Sequence, residues 1–210
     1  NLAGAPGVFF PEADASLQSW ERAYYRYNSI NLIAVNRFAV TPTMFSYVDD
    51  GLRVVIAESD LFDYPGMYVQ RTTQGMKGKW AAYPKTVSEP ENIYADHRVL
   101  TREDYIANTQ GTREFPWRVI IVSSDDKDLL TNQLIYKLAK PSVVADESFI
   151  VPGKSVWEWW HDAILETTTI PSGLSNLSFN LYKYYVDFAA EHKIEYITLD
   201  AGWSTDYAAQ

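Results

Sequence analysis

Trp157, Glu158, Trp159, Trp160, His161 and Asp162 place three tryptophans and two acidic groups in six consecutive residues. Further along, a nearly continuous apolar run from Ile194 to Leu199 ends abruptly in Asp200, Ala201, Gly202 and Trp203. Aromatic faces beside carboxylates are what sugar recognition requires: the ring covers apolar surface while the carboxylate accepts hydrogen bonds. The tryptophan run can also be read as core, since aromatics bury large areas. If the run is a strand, alternation puts Trp157, Trp159 and His161 on one face and Glu158, Trp160 and Asp162 on the other. Asp200 ends a strand, where a parallel barrel carries its working residues, although an Asp there can also cap the following helix.

A second acidic stretch runs Glu58-Ser59-Asp60-Leu61-Phe62-Asp63-Tyr64-Pro65-Gly66-Met67. Three carboxylates in six residues suit a hard cation such as calcium, yet the regular spacing of a calcium loop is missing and a solvated acidic turn fits as well. The three histidines, His97, His161 and His192, have no ligand spacing, which argues against zinc. Neither a Gly-rich phosphate loop nor a Gly-x-Ser-x-Gly elbow occurs, so the common nucleotide-binding and serine-hydrolase readings fall away.

The elements that must position these groups change character along the chain. Residues 30 to 124 are mainly short Val-, Ile-, Phe- and Tyr-rich runs between turn residues, the pattern of a β-sandwich. Thr43 to Val48 and Leu52 to Ala57 flank Asp49-Asp50-Gly51, a hairpin signal, and further strands are expected at Tyr68 to Thr73, Lys79 to Tyr83 and Trp117 to Ser123. Lys140-Pro141, Asp146-Glu147 and Pro152-Gly153 mark a boundary. Beyond it, Ser178 is a candidate N-cap, and Phe179, Tyr182, Val186 and Ala189 form one apolar helical face ending near His192. With Ile194 to Leu199 as a strand buried on both faces, residues 155 to 203 read as a βαβ unit with parallel strands. Such a unit leaves open edges, so the chain reads as a fragment of something longer.

Composition narrows the partners. Of 210 residues, 47% are apolar, and the formal net charge of −9 repels nucleic-acid phosphates and acidic membrane surfaces. No segment approaches the ~20 apolar residues of a membrane helix. With no cysteine, disulfides, thiolate metal sites and cysteine catalysis are excluded from this chain. The first residues, Asn1 to Gly7, lack a signal-peptide pattern, so any targeting segment is expected to have been removed or never included.

At these residues the chain resembles glycoside hydrolase family 97. The blocks that match in order are Ala57-Glu58-Ser59-Asp60-Leu61 with Asp63-Tyr64-Pro65-Gly66-Met67, Pro116-Trp117-Arg118-Val119-Ile120, Pro152-Gly153-Lys154 with Trp157-Glu158-Trp159-Trp160, Tyr185-Val186-Asp187-Phe188-Ala189-Ala190, and Leu199-Asp200-Ala201-Gly202-Trp203. The resemblance implies a multi-domain α and β protein: the C-terminal part of a β-sandwich domain over 1–145, a linker over 146–154, and the truncated start of a catalytic (β/α)8 barrel over 155–210. It implies an exo-acting α-glycosidase that acts on oligosaccharides, uses calcium and is periplasmic or secreted, with no nucleic-acid or membrane partner. The catalytic carboxylates of the family lie on later barrel strands, so none is assigned here and this chain alone is expected to be inactive. Glu58 falls on the family's sandwich-domain glutamate and is the expected calcium ligand. Trp157, Trp159, Trp160, His161, Asp162, Asp200 and Trp203 are the expected substrate-binding residues. The Trp-Glu-Trp-Trp and Leu-Asp-Ala-Gly-Trp forms look more like the retaining α-galactosidase-like branch than the inverting α-glucosidase branch. A non-catalytic sugar-binding β-module and a different barrel enzyme with a similar first strand are the competing readings.

Overall fold

The computed structural model describes residues 5–17, 22–89, 97–166 and 168–200, and among them the chain forms two compact units that divide between Pro141 and Ser142. That division falls before the stretch expected to act as linker.

The first unit is built from ten strands: β1 (Gly7–Pro11), β2 (Tyr24–Tyr27), β3 (Phe38–Val40), β4 (Thr43–Tyr47), β5 (Leu52–Ser59), β6 (Met67–Thr72), β7 (Gly75–Trp80), β8 (Pro84–Val87), β9 (Val99–Arg102) and β10 (Trp117–Ser123). Two short helices follow, α1 (Asp126–Leu130) and α2 (Leu134–Leu138). A five-stranded sheet runs β10-β5-β4-β1-β2 and a three-stranded sheet runs β3-β6-β7, with β8 and β9 as a separate pair; every pairing in this unit is antiparallel. Alternation along β1 and β4 sends Val8, Phe10 and Phe45 inward, where they meet Ala39 and Val69 of the smaller sheet and Ile33. Two sheets sharing one apolar core make a sandwich-like domain.

The β4–β5 hairpin forms as its Asp-Gly pair dictates: Gly51 has φ +65, and its N–H donates to the Val48 carbonyl at 3.1 Å. The strand expected over Lys79 to Tyr83 instead ends at Trp80, because β7 starts at Gly75 and pairs Trp80 with Met67; Tyr83 stacks on Tyr105 at 5.9 Å instead. β1 and β2 fall within the 1–145 span expected to be a β-sandwich, ahead of the individual strands picked out above.

The second unit holds β11 (Ser155–Trp157), α3 (Phe179–Glu191) and β12 (Tyr196–Thr198), the two strands pairing in parallel. A parallel pair connected through a helix is a βαβ unit. Its helix starts at Ser178, whose hydroxyl accepts from Leu181 N–H at 3.3 Å. The buried face is rotated from the expected one: Leu181 and Tyr185 point inward with Ala189, which the expected face included, whereas Phe179 is 80% exposed and Val186 is 50% exposed. Leu181 and Tyr185 pack with Ala163, Val156, Leu165 and Ile197, and this contact, not the hydropathy of single positions, sets the helix rotation. β12 is also shorter than the apolar run, since Ile194 N–H still bonds to Ala189 O of the helix end. Ser178→Ala is expected to cost about 1 kcal/mol by urea unfolding through loss of the cap.

Candidate functional site

The carboxyl ends of β11 and β12 bring together residues more than forty positions apart. The ladder ends at Trp157 opposite Thr198. Past it, Trp157 Nε1 donates to Asp200 Oδ2 at 3.0 Å, and Asp200 N–H donates to Glu158 Oε1 at 2.9 Å. The same Glu158 oxygen lies 3.5 Å from the Tyr182 hydroxyl of α3. Glu158 is 3% exposed, and its Oε2, like the Tyr185 hydroxyl, is buried without a hydrogen-bond partner. Burial, then the neighbouring Glu158 carboxylate, pushes both the Tyr182 and Tyr185 hydroxyls above their usual range, so both remain protonated donors at neutral pH.

The aromatic run does not continue β11. Glu158 to His161 is a 3₁₀ turn, so the alternation expected through Asp162 fails after Trp157. Three residues per turn return Trp160 towards Trp157, with ring centroids 6.3 Å apart, while Trp157 stacks on Trp159 at 5.7 Å and 27°. The result is a partly exposed aromatic platform beside Asp200, in which Trp160 is the most open ring at 80%. Asp162 closes the turn with φ +59, its N–H donating to the Glu158 and Trp159 carbonyls, and His161 is exposed. Neither side chain enters the Glu158–Asp200 network. Trp203 lies outside the described residues. Glu158, absent from the expected site, is the residue that sequence reasoning missed; the available signal was a carboxylate set between tryptophans at the point where a strand ends.

In the other unit, Glu58 sits near the end of β5 opposite Arg118 of β10, its side chain only 1% exposed. Oε2 accepts from Met67 N–H at 2.6 Å, and Oε1 lies 2.6 Å from Arg118 Nη1 without the alignment of a hydrogen bond. The Arg118 guanidinium also covers the rings of Tyr64 at 5.6 Å and Trp80 at 5.2 Å. Burial pushes the Glu58 carboxyl above its ordinary value, with the Met67 N–H and then Arg118 pulling it partly back. Asp60 and Asp63 do not converge on it: Asp60 accepts from Lys140 N–H at 3.2 Å, and exposed Asp63 pairs with Arg113 at 3.6 Å. Among the described residues no group of three or more His, Cys, Asp or Glu is arranged to hold a metal, so the three carboxylates of this stretch form no cation loop here. Glu58 Oε1 has no aligned hydrogen bond, but the Arg118 guanidinium holds it as an ion pair.

The model of the glycosyl-hydrolase 97 N-terminal domain matches residues 1–141. The chain belongs to glycoside hydrolase family 97. A retaining alpha-galactosidase of Bacteroides thetaiotaomicron is 40% identical to this family 97 chain over 162 residues, covering 76% of the chain and 24% of the relative. A probable retaining alpha-galactosidase of Streptomyces bingchenggensis is 27% identical over 206 residues, covering 98% and 28%. The family 97 chain therefore spans about a quarter of the length of these curated relatives. Among solved structures, a family 97 enzyme from Pseudoalteromonas sp. strain K8 in complex with panose aligns with TM-score 0.68 and 24% identity over 99% of this chain and 28% of its own. The same enzyme in complex with acarbose aligns with TM-score 0.68 and 24% identity, over 98% of this chain. At that identity the likeness establishes the fold.

Proposed function

We propose that this chain is part of an exo-acting, retaining α-galactosidase-like glycosidase that removes terminal α-linked sugars from oligosaccharides. The observation that carries the reading is the 40% identity to a relative named for that activity, over a stretch extending past residue 141. In this reading β11, α3 and β12 open a (β/α)8 barrel, and the strand carboxyl ends face the substrate. Trp157, Trp159 and Trp160 offer apolar ring surface to the sugar, and Asp200, oriented through both its N–H and its carboxylate, receives sugar hydroxyls. These groups bind and orient. Bond cleavage with retention needs a nucleophilic carboxylate and an acid/base about 5 Å apart, which we place on strands beyond this chain.

Glu58 would serve calcium as one oxygen donor through Oε1, which has no aligned hydrogen bond, once the Arg118 guanidinium 2.6 Å away swings off it. Calcium takes six to eight oxygens, so the remaining ligands belong to other parts of the protein. When bound, calcium would supply positive charge for orienting substrate or stabilising developing charge. Glu58→Ala in the complete enzyme is expected to weaken the calcium dependence of activity; an unchanged calcium titration removes Glu58 from that role.

The complete protein is expected to hydrolyse an aryl α-galactoside faster than the matching α-glucoside and to release the α anomer first by NMR, while the 210-residue chain alone is inactive. A preference for glucoside with inversion would assign it to the α-glucosidase-like branch. No hydrolysis by the complete protein, with saccharide binding retained, would make the sandwich domain a binding module.

A further inference from the structure

We propose that Glu158 is a positioning residue that fixes Asp200 and, through it, the Trp157 indole at the carboxyl ends of β11 and β12; its consequence for turnover rests on the glycosidase reading above. Backbone pairing between the two strands stops at Trp157 and Thr198. Two residues beyond, the Asp200 N–H has left the ladder, and the Glu158 carboxylate takes it at 2.9 Å. A side chain thus carries the pairing past the end of the backbone ladder. Asp200 then accepts from the Trp157 indole at 3.0 Å, which closes a ring of contacts through Glu158, Asp200 and Trp157.

The residue is placed for support and not for contact with a ligand. Glu158 is 3% exposed beneath the platform, and α3 covers it with Tyr182, whose hydroxyl lies 3.5 Å from the same oxygen. A buried carboxylate is costly, and more so with Oε2 and the nearby Tyr185 hydroxyl both lacking a hydrogen-bond partner. Local violations of polar satisfaction concentrate where a fold serves a site. Here the gain is a strand-end carboxylate whose backbone is tied down on the side away from solvent, so that Asp200 and Trp157 hold one geometry before a sugar arrives.

Two variants of the complete protein separate this role from bulk packing. Glu158→Gln keeps an oxygen able to accept the Asp200 N–H, whereas Glu158→Leu keeps volume and removes the acceptor. Glu158→Gln is expected to hold Asp200 amide exchange and KM for an aryl α-galactoside within about threefold of wild type. Glu158→Leu is expected to speed Asp200 amide exchange roughly tenfold, raise KM by roughly the same factor with a smaller change in kcat, and alter the near-ultraviolet circular dichroism of the Trp157–Trp159 stack. An Asp200 amide as protected in folded Glu158→Leu as in wild type overturns the proposal. If Glu158→Leu does not fold, Glu158→Gln decides: folded protein with the Asp200 protection lost overturns it, and retained protection supports it. Should the wild-type protein hydrolyse no glycoside, the glycosidase reading fails while amide exchange still decides the role of Glu158.

Discussion

Asp200→Asn in the complete enzyme is expected to lower kcat/KM on an aryl α-galactoside by about twofold to thirtyfold while leaving cooperative unfolding intact. The substitution isolates charge from shape. An asparagine can still accept the Trp157 indole N–H through its amide oxygen, and its backbone N–H still reaches Glu158, so these orienting contacts survive. What disappears is the negative charge available to sugar hydroxyls. Hydrogen bonds to a charged group contribute about 1.5 to 3 kcal/mol against about 1 for neutral pairs, which sets the expected range. Steady-state kinetics with thermal unfolding of both proteins checks it. A variant with wild-type kcat/KM would show that Asp200 only organises the strand end, as a helix-capping aspartate would.

The largest expected effect on stability comes from Arg118→Leu. It leaves Glu58 buried opposite an apolar side chain, and removing one partner of a buried pair costs about 3 kcal/mol. The loss should depend on pH in a defined direction. Burial already holds the folded-state pKa of Glu58 above its ordinary 4.5, so the folded protein takes up this proton more readily than the unfolded chain. A group of this kind favours the folded state below the unfolded pKa, and that contribution fades as pH rises through the folded value. Without Arg118 the folded value rises further, so the deficit of Arg118→Leu is expected to be greatest near pH 8 and to shrink as pH falls towards 5. Adding Glu58→Gln should flatten this dependence, because no proton remains to be exchanged at the site. Urea unfolding across that pH range measures it; a deficit that grows on acidification contradicts the assignment of cause.

What the sequence determined by itself is local. Asp50-Gly51 specifies the β4–β5 hairpin because the positive φ it needs is available to glycine without strain, and the turn then fixes register. Trp117 to Ser123 forms the strand its β-branched run predicts, and Ser178 caps α3 because its hydroxyl reaches a helix N–H three residues away. The parallel pairing of β11 and β12 was legible in the change of period from two to 3.6 and back. The family blocks carried Glu58 and Asp200 as positions of interest, and both lie at strand ends.

Tertiary structure decided what those residues face. α3 shows apolar side chains on several sides, so hydropathy alone could not choose between Phe179 with Val186 and Leu181 with Tyr185; packing on Ala163, Val156 and Ile197 chose the second set. The six-residue aromatic run reads as a strand until Asp162 adopts a left-handed conformation that closes a 3₁₀ turn, and only then do Trp157 and Trp159 stack. Glu58 and its two acidic neighbours are near enough in sequence to share a cation, but Arg118, Lys140 and Arg113 draw the three carboxylates to separate partners. Glu158 meets the Asp200 N–H across 42 positions of chain. Turn and cap preferences are held within a few adjacent residues, whereas the partner of a buried carboxylate depends on which distant donor the fold brings within hydrogen-bond reach.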